Sequence, residues 1–421
     1  MSAYLLRNLG AIVRADRRPP DRLAGAALAD LPLLPAAWLL VENGCIADYG
    51  PMATCPERAD EVVDAKGQWL FPGWVDSHTH LVFAGSREGE FEDRIRGLSY
   101  EAISARGGGI LNSARRLEQA GEAELLAGAH HRLQAIAAQG TVAVEIKSGY
   151  GLSYAGELKM LRVIRQLKEE SNLAIKATFL GAHALPLAYR QDREAYLRLL
   201  IDELLPVIAG EGLADYIDVF CEKVAFTAAE TDRLLTAGAK HGLRPKIHTN
   251  QFNSLGGIET ALAHNAVSVD HLEVLTPEEI DLLAGSATIA TLLPTAPFFL
   301  RDPYPPARAL VDAGACVALA SDYNPGSSPS GRMPFVVSLG CIACRLTPAE
   351  AINAATINGA AALEWSDTYG SITPGRPAAF FLTAPLPSLA YLPYAFGSKL
   401  IEYSTSSGRT PPGPVLRENP R

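Results

Sequence analysis

The sequence predicts an α/β fold: a (β/α)8 TIM-type barrel with a small β-sandwich-like domain built from both termini. Three observations carry that expectation. From residue 67 onward, eight short apolar runs alternate with helical patterns. Such alternation implies parallel strands, and eight units suit a closed barrel. Residues 4–65 instead hold β-type runs broken by Gly, Pro and Asn, and β-like runs return from Ala378 onward. Histidines and acids recur where the apolar runs of the middle section stop, and that rim is where barrel chemistry sits. The expected division is 1–66 and 370–421 for the small domain and 67–369 for the barrel.

In the head the β-type runs are Tyr4–Leu6, Gly10–Val13, Trp38–Val41 and Cys45–Tyr49. The first barrel strand spans 68–76 and runs into Asp76-Ser77-His78-Thr79-His80. A loop with Arg87, Tyr100 and Gly107-Gly108-Gly109 follows. It reads as a mobile lid, because no Lys-Ser/Thr follows the glycines as a phosphate loop requires. Helices at 110–119 and 122–138 lead to the second strand, Thr141–Lys147, and the turn Ser148–Gly151. The later strands are Leu173–Leu180, Tyr216–Cys221, Leu243–His248, Ala266–His271, Ala287–Leu293 and Ala315–Asp322. Helices at 154–170, 189–209, 227–241, 255–264, 277–284 and 304–313 separate them. Two more helices, 333–345 and 348–363, precede β-like runs at 378–382 and 399–403, which complete the sheet of the head.

Hydrophobic residues make up 48% and charged residues 20% of 421 positions, ordinary for a soluble protein with one large and one smaller domain. The net charge of −9 argues against a general binder of nucleic acid or anionic membrane. A small-molecule partner remains, including an anionic one in a locally basic pocket. The N-terminus lacks the basic region, apolar run and cleavage site of a secretory signal. The apolar run Leu31–Val41 is too short to span a bilayer and contains Pro32 and Pro35. The six cysteines are scattered; Cys341 and Cys344 have redox or zinc spacing but fall in an apolar helical pattern, which suits packing thiols better. A reducing cytoplasm fits this usage, and a symmetric homodimer is the base-rate expectation.

Side chains two apart on a strand share a face, so His78 and His80 can converge on one ion. Alone, His-x-His is weak evidence, because short runs recur by chance. The other strand ends add Lys147 with Tyr150, His183, Cys221 with Glu222, His248, His271 and Asp322. Five of the nine histidines fall there; His130, His131, His241 and His264 sit in or at the ends of helical stretches, as surface or packing residues do. His78, His80, His248 and Asp322 make a set of three imidazoles and a carboxylate that suits one Zn2+ or Fe2+ with a water in the open position. Such an ion makes a nucleophile near neutral pH, and Asp322 can touch it and accept the proton. A closed metal site, or a polar barrel mouth with no metal, is the competing reading; a buried cluster at this rim is costly unless used. The loop Asn324–Pro329 is either an ordinary turn or a set of backbone N–H groups for a carbonyl or carboxylate. Arg87 is either a solvated surface residue or a bidentate partner for a substrate carboxylate.

The strand-end set and the β-type head resemble the metal-dependent amidohydrolase superfamily. Within it, Pro72-Gly-Trp-Val-Asp-Ser-His-Thr-His-Leu-Val-Phe-Ala-Gly-Ser-Arg-Glu88 is similar to the imidazolonepropionase family. So are Glu145-Ile-Lys-Ser-Gly-Tyr-Gly151, Phe179-Leu-Gly-Ala-His183, Asp218-Val-Phe-Cys-Glu222, Lys246-Ile-His248, Asp270-His-Leu272 and Ala320-Ser-Asp-Tyr-Asn-Pro-Gly-Ser-Ser328. These blocks cover nearly the whole barrel in order; each is moderately specific, and together they are strongly so. The resemblance implies one zinc or iron at His78, His80, His248 and Asp322. It implies substrate contacts from Arg87, Tyr150, His183, Gln251, Asn324, Gly326 and Ser327, with Tyr100 a further candidate. His271 would polarise the carbonyl or stabilise the developing oxyanion. The implied reaction is hydrolysis of 4-imidazolone-5-propanoate to N-formimidoyl-L-glutamate. A planar cyclic amide needs an activated water and a proton shuttle, and its propionate tail needs a cation such as Arg87.

The chain departs from related enzymes at three places. Deaminases of the superfamily carry a proton-transferring Glu three residues after the fifth-strand histidine, where this chain has Gln251. An amide cannot shuttle a proton at neutral pH, which argues against the alternative, a same-fold deaminase or amidohydrolase acting on another heterocycle. Imidazolonepropionases carry either Glu or Gln there. Binuclear relatives carry a carboxylated Lys on the fourth strand; Cys221-Glu222 stands there, so a single metal is expected, with Lys147 behind the site or on its substrate side. The tail Arg376–Leu382 lacks the acidic residue often found before its strand. A non-catalytic scaffold of the same fold would be expected to have lost metal ligands, and all four are present.

Overall fold

The computed structural model describes residues 3–57, 59–98 and 108–405. Tyr100 and Gly107 lie outside the described residues. The strands of the head are β1 (Ala3–Val13), β2 (Leu33–Glu42), β3 (Cys45–Pro51), β4 (Glu61–Asp64) and β5 (Trp69–Pro72). The middle of the chain supplies β6 (Trp74–Asp76), β7 (Thr141–Lys147), β8 (Ala174–Ala182), β9 (Tyr216–Cys221), β10 (Arg244–Thr249), β11 (Ser268–His271), β12 (Ile289–Leu292) and β13 (Val317–Leu319). β14 (Phe380–Thr383) and β15 (Ile401–Thr405) follow near the C-terminus.

β6 to β13 form one sheet in chain order, every ladder parallel, with helices on its outer side. This is the expected (β/α)8 barrel. Its ends are joined by backbone bonds beyond the strands: Asp322 N–H donates to His78 O at 3.0 Å, and His80 N–H donates to Tyr323 O at 2.9 Å. The second sheet runs β15-β14-β5-β1-β2-β3, with β4 also paired to β1. Both ends of the chain thus enter one sheet. It has its own apolar cluster, including Leu6, Ile12, Leu39, Val41, Leu70, Phe380 and Leu382.

The run at 68–76 is two strands. β5 pairs with β1 and β14, and β6 pairs with β7. Gly73 between them is the reason: a Cβ there would meet Val142 at 2.2 Å, so only glycine lets the chain cross from one sheet to the other at this distance. In the head, the runs 4–6 and 10–13 are one strand with a register shift between Leu6 and Leu9, where Asn8 turns at φ 58. The segment after Arg87 is a helix, Glu88–Ile95, with Glu88 and Glu90 in its first turn, rather than loop. The helix expected at 189–209 runs from Arg193 to Gly210 and widens to a π-helix over Leu199–Leu204. Pro206 follows that stretch and has no N–H to give the regular ladder. Threonine capping boxes start three helices, Thr227 with Glu230, Thr276 with Glu279 and Thr347 with Glu350. No helix among the described residues is long and apolar enough to cross a membrane.

Gly73→Ala should lower unfolding stability by about 1–3 kcal/mol, the usual cost of overpacking a tight site. Val142→Ala in the same chain should recover most of that loss in denaturant melts. Equal stability of wild type and Gly73→Ala would show that the close approach of the strands does not require glycine.

Candidate active site

Past β6 the chain stays extended and buried from Ser77 to Val82, so the pleat sends His78 and His80 to one side. His78 Nε2 and His80 Nε2 lie 3.5 and 3.6 Å from the same oxygen, Asp322 Oδ1. His248 enters from the end of β10, its ring centroid 4.4 Å from that of His78. Nitrogen and oxygen atoms of His78, His80 and Asp322 lie within 4.8 Å of one another, and so do those of His78, His248 and His271. Tetrahedral ligands about 2.0–2.2 Å from a zinc ion stand roughly 3.3–3.5 Å apart, close to the spacings around Asp322.

The electrostatics suit a cation. Burial, reinforced by neighbouring Lys147 for His78 and His183 for His80, holds both imidazoles well below their usual range, in the neutral form that binds metal. His78 Nε2 and His248 Nε2 are buried without a hydrogen-bond partner among the described residues. A lone pair buried in that way is costly unless something accepts it. His78 Nδ1 faces Asp270 Oδ2 at 2.6 Å, which places its proton on that side and leaves Nε2 for a ligand. His248 Nδ1 lies 2.9 Å from Asp218 Oδ2, without the alignment of a hydrogen bond. The donor set therefore fits a divalent ion.

Directly beneath lies a layer of wholly buried ionic side chains. Lys147 Nζ donates to Glu145 Oε1 and Asp218 Oδ2, both at 2.8 Å. Lys246 Nζ donates to Glu145 Oε2 at 2.6 Å and Ser77 O at 3.0 Å. Thr178 donates to Glu145, and Ser268 donates to Asp270 Oδ1 at 2.5 Å. Burial alone would make Glu145 and Asp218 weak acids. The two lysines outweigh it for Glu145, and His248 with Lys147 outweigh it for Asp218, so both carboxyls lie below their usual range. Lys147 is not on the substrate side; it sits behind the histidines.

Above the histidines opens a cavity of about 760 Å³. His80, Arg87, Tyr150, His183, His248, Gln251, His271, Asp322, Asn324, Gly326 and Ser327 all line it. His183 stacks on His80, centroids 5.2 Å apart; burial and the nearby His248 push it down to about 3, so it is neutral. Burial lowers His271, but Glu273, Asp322 and Asp270 outweigh this and raise it above its ordinary value. Its backbone has φ 89, and Asp322 has φ 52, conformations that non-glycine residues adopt at a cost and that here aim both side chains inward. Burial raises the Asp322 carboxyl, with His271 and His248 opposing. Arg87 donates through Nε and Nη2 to Glu90 Oε2 at 2.8 and 2.6 Å. Its Nη1 is directed at Gly326, where a Cβ would come within 2.2 Å of it. In the turn after Asp322, the N–H groups of Gly326 and Ser327 donate to Asn324 Oδ1 at 2.7 and 2.8 Å, so the amide oxygen of the loop itself occupies them.

Residues 222–410 match the model of the amidohydrolase family. The chain is 51% identical over 406 residues to an imidazolonepropionase of Christiangramia forsetii, covering 96% of this chain and 99% of that one. It is 41% identical over 426 aligned positions to an imidazolonepropionase of Herpetosiphon aurantiacus, covering 99% and 97%. The chain belongs to the imidazolonepropionase family. Among solved structures, a triazine hydrolase variant shares the fold with a TM-score of 0.72 at 16% identity, over 96% of this chain and 94% of that one. An adenosine deaminase from Xanthomonas campestris with bound zinc shares it with a TM-score of 0.66 at 19% identity, over 93% and 89%.

Every site residue expected for this family, apart from Tyr100, lies within the one cluster and cavity. Several residues that shape the site carried no role in the sequence reading. Asp218, Asp270, Glu145 and Lys246 form the layer under the histidines. Their signal was the strand period: Glu145 with Lys147 and Lys246 with His248 sit two apart and face the barrel axis together. Glu90, Glu222 and Glu279 hold the rim. Glu222 accepts N–H bonds from Phe252 at 2.8 Å and Asn253 at 2.9 Å, fixing the turn that carries Gln251. Glu279 accepts from Asn250 Nδ2 at 2.8 Å. Nothing in the local sequence names these partners, because they come from other strands and loops.

Glu222→Ala should leave the amides of Phe252 and Asn253 without partners, costing about 1–3 kcal/mol locally. Hydrogen exchange of a peptide covering 250–254 should then speed up by at least tenfold while barrel strands keep their protection. Unchanged exchange there would remove Glu222 as the residue that fixes this turn.

Proposed function

We propose that the chain opens the ring of 4-imidazolone-5-propanoate by hydrolysis, giving N-formimidoyl-L-glutamate, a step of histidine degradation. The observation that carries the reading is the convergence of His78, His80, His248 and Asp322 at the floor of a cavity whose wall presents Arg87. These four residues would hold one divalent ion, zinc or ferrous iron. Bound there, it would supply Lewis acidity and a water acidic enough to attack near neutral pH.

The reaction adds water across a carbonyl–nitrogen bond: an oxygen–carbon bond forms, the ring carbon–nitrogen bond breaks, and the nitrogen takes a proton. Asp322 receives the proton of the attacking water and returns it to the departing nitrogen. His271, kept in place by Glu273 at 3.4 Å, faces the carbonyl oxygen and stabilises charge that develops on it. Gln251 orients the ring through its amide and carries no proton. Tyr150, whose phenol burial keeps protonated, and neutral His183 contact the ring from the side of His80. Arg87 receives the propionate beside Gly326, where only glycine leaves room for the guanidinium; Asn324 and Ser327 complete this wall. Tyr100 remains a further candidate contact. A cytoplasmic setting accords with six free cysteines, of which Cys221, Cys316 and Cys344 are buried.

Purified protein should turn over freshly generated 4-imidazolone-5-propanoate. Activity should fall on chelation in proportion to the loss of about one metal equivalent per chain. A metal-replete, folded protein with no turnover would move the substrate to another cyclic amide. Arg87→Ala should raise KM by roughly 10- to 100-fold with a smaller effect on kcat, the worth of a charge-assisted contact. An equal loss with an analogue lacking the carboxylate would show that Arg87 does not hold the propionate.

A further inference from the structure

The layer beneath the histidines contains one side chain that reaches the backing groups of two candidate ligands at once. Lys147 Nζ lies 2.8 Å from Asp218 Oδ2 and 3.6 Å from Asp270 Oδ2. The same two oxygens face the inner ring nitrogens: Asp218 Oδ2 is 2.9 Å from His248 Nδ1, and Asp270 Oδ2 is 2.6 Å from His78 Nδ1. All three side chains of the bridge are fully buried. We propose that Lys147 is a positioning residue for the metal. Its ammonium fixes both aspartate oxygens, and through them sets the tautomer of His78 and the negative charge that faces His248 Nδ1.

The physical argument is one of competing charges. Asp218, Asp270 and Glu145 lie close together out of water, and Lys147 and Lys246 are the ammonium groups among the described residues that pair with them. Without Lys147, two aspartates would face each other with no cation between them. Buried carboxylates in that state turn away from each other. Such a turn removes the carboxylate behind a histidine, and loss of such a partner typically weakens metal binding about 10- to 100-fold. Net charge alone predicts the opposite sign, since deleting an ammonium leaves more negative charge under the ion and tightens its binding. Lys246 separates the two effects. It is as deeply buried and carries the same charge, but it touches Glu145 and Ser77 O and neither aspartate that backs a histidine.

The inference rests on the metal reading above, and the test keeps the two apart. The probe is Zn2+ alone, its dissociation constant measured by chelator competition on metal-stripped full-length protein. Wild type that binds no Zn2+ would overturn the metal reading itself. Given wild-type binding, Lys147→Met should weaken it by about 10- to 100-fold, and Lys246→Met should change it by less than about threefold. Unchanged or tighter binding in Lys147→Met overturns the proposal, as does equal weakening in Lys246→Met. If Lys147→Met does not fold, Lys147→Met/Glu145→Gln, which removes one charge of each sign, takes its place with the same expected loss. If neither Lys147 variant folds in the presence of metal, the residue is a structural element of the barrel and the proposal is overturned.

Discussion

The closure of the barrel between β6 and β13 is the constraint on which the site depends. Two backbone hydrogen bonds make it, from Asp322 N–H to His78 O and from His80 N–H to Tyr323 O. Three of the residues that close the barrel, His78, His80 and Asp322, are therefore the ones whose side chains cluster at the floor of the cavity. The distance from the two histidines to Asp322 is set by the barrel circumference rather than by any local motif. Ser321 reinforces this join, donating from its N–H and hydroxyl to Asp76 at 2.9 and 2.6 Å. Asp76 itself is pushed up to about 7 by burial, with the Ser321 bonds opposing, so the tie depends on those donors. The φ of 52 at Asp322 follows from the same demand. At this φ the residue directs its N–H back to His78 while its carboxylate lines the cavity.

Barrel interiors are usually filled by layers of branched apolar side chains. Here the layer under the cavity is ionic, with Glu145, Lys147, Asp218, Lys246 and Asp270 all wholly buried. An apolar layer of equal volume would be at least as stable, since desolvating charges costs several kcal/mol per ion before pairing offsets it. Stability is thus a poor account of these residues. Their oxygens lie against the inner nitrogens of His78 and His248, and that contact is what an apolar layer would lose. The layer is also rigid in a way a loop could not be, because its members stand on the consecutive strands β7 to β11, with β8 contributing through Thr178.

Much of this was legible in the sequence because strands have a fixed period and a defined end. His78, His80, His183, His248, His271 and Asp322 stood out as polar residues following apolar runs, and parallel topology brings such ends to one rim. What stayed hidden depended on contacts between strands. Gly73 looked like an interruption inside one strand, and only Val142 packing against it from β7 makes it a junction between two sheets. The helix Glu88–Ile95 was missed because it is short and mostly polar, with Glu90 its buried side chain. The loop after Asp322 was read as either an ordinary turn or a cradle of N–H groups. The side chain of Asn324, two residues upstream of Gly326, folds back and fills it, a local competition between side chain and ligand that sequence alone does not decide.

The rim raises a last question, because an acidic protein must present a basic wall to an anion. Glu273 faces His271 at 3.4 Å, and four other glutamates near the cavity are each directed at donors. Glu157 accepts from the N–H groups of Gly149 and Leu152 at 3.1 and 2.9 Å, holding the turn that carries Tyr150. Glu222 and Glu279 hold the turn after β10 in the same manner. Glu90 takes the N–H of Gly109 at 3.0 Å on one oxygen and the Arg87 guanidinium on the other. Carboxylates bonded to donors on both oxygens project less field into the cavity than free ones. The guanidinium, fixed along one edge by Glu90, has its remaining amino group already aimed at the wall beside Gly326. An anion arriving there meets a cation whose rotamer is set in advance, so little side-chain entropy remains to be lost on binding. Under the proposed function, the same glutamates that lower the net charge of the chain build the rigidity that would let Arg87 act as a selective anion contact.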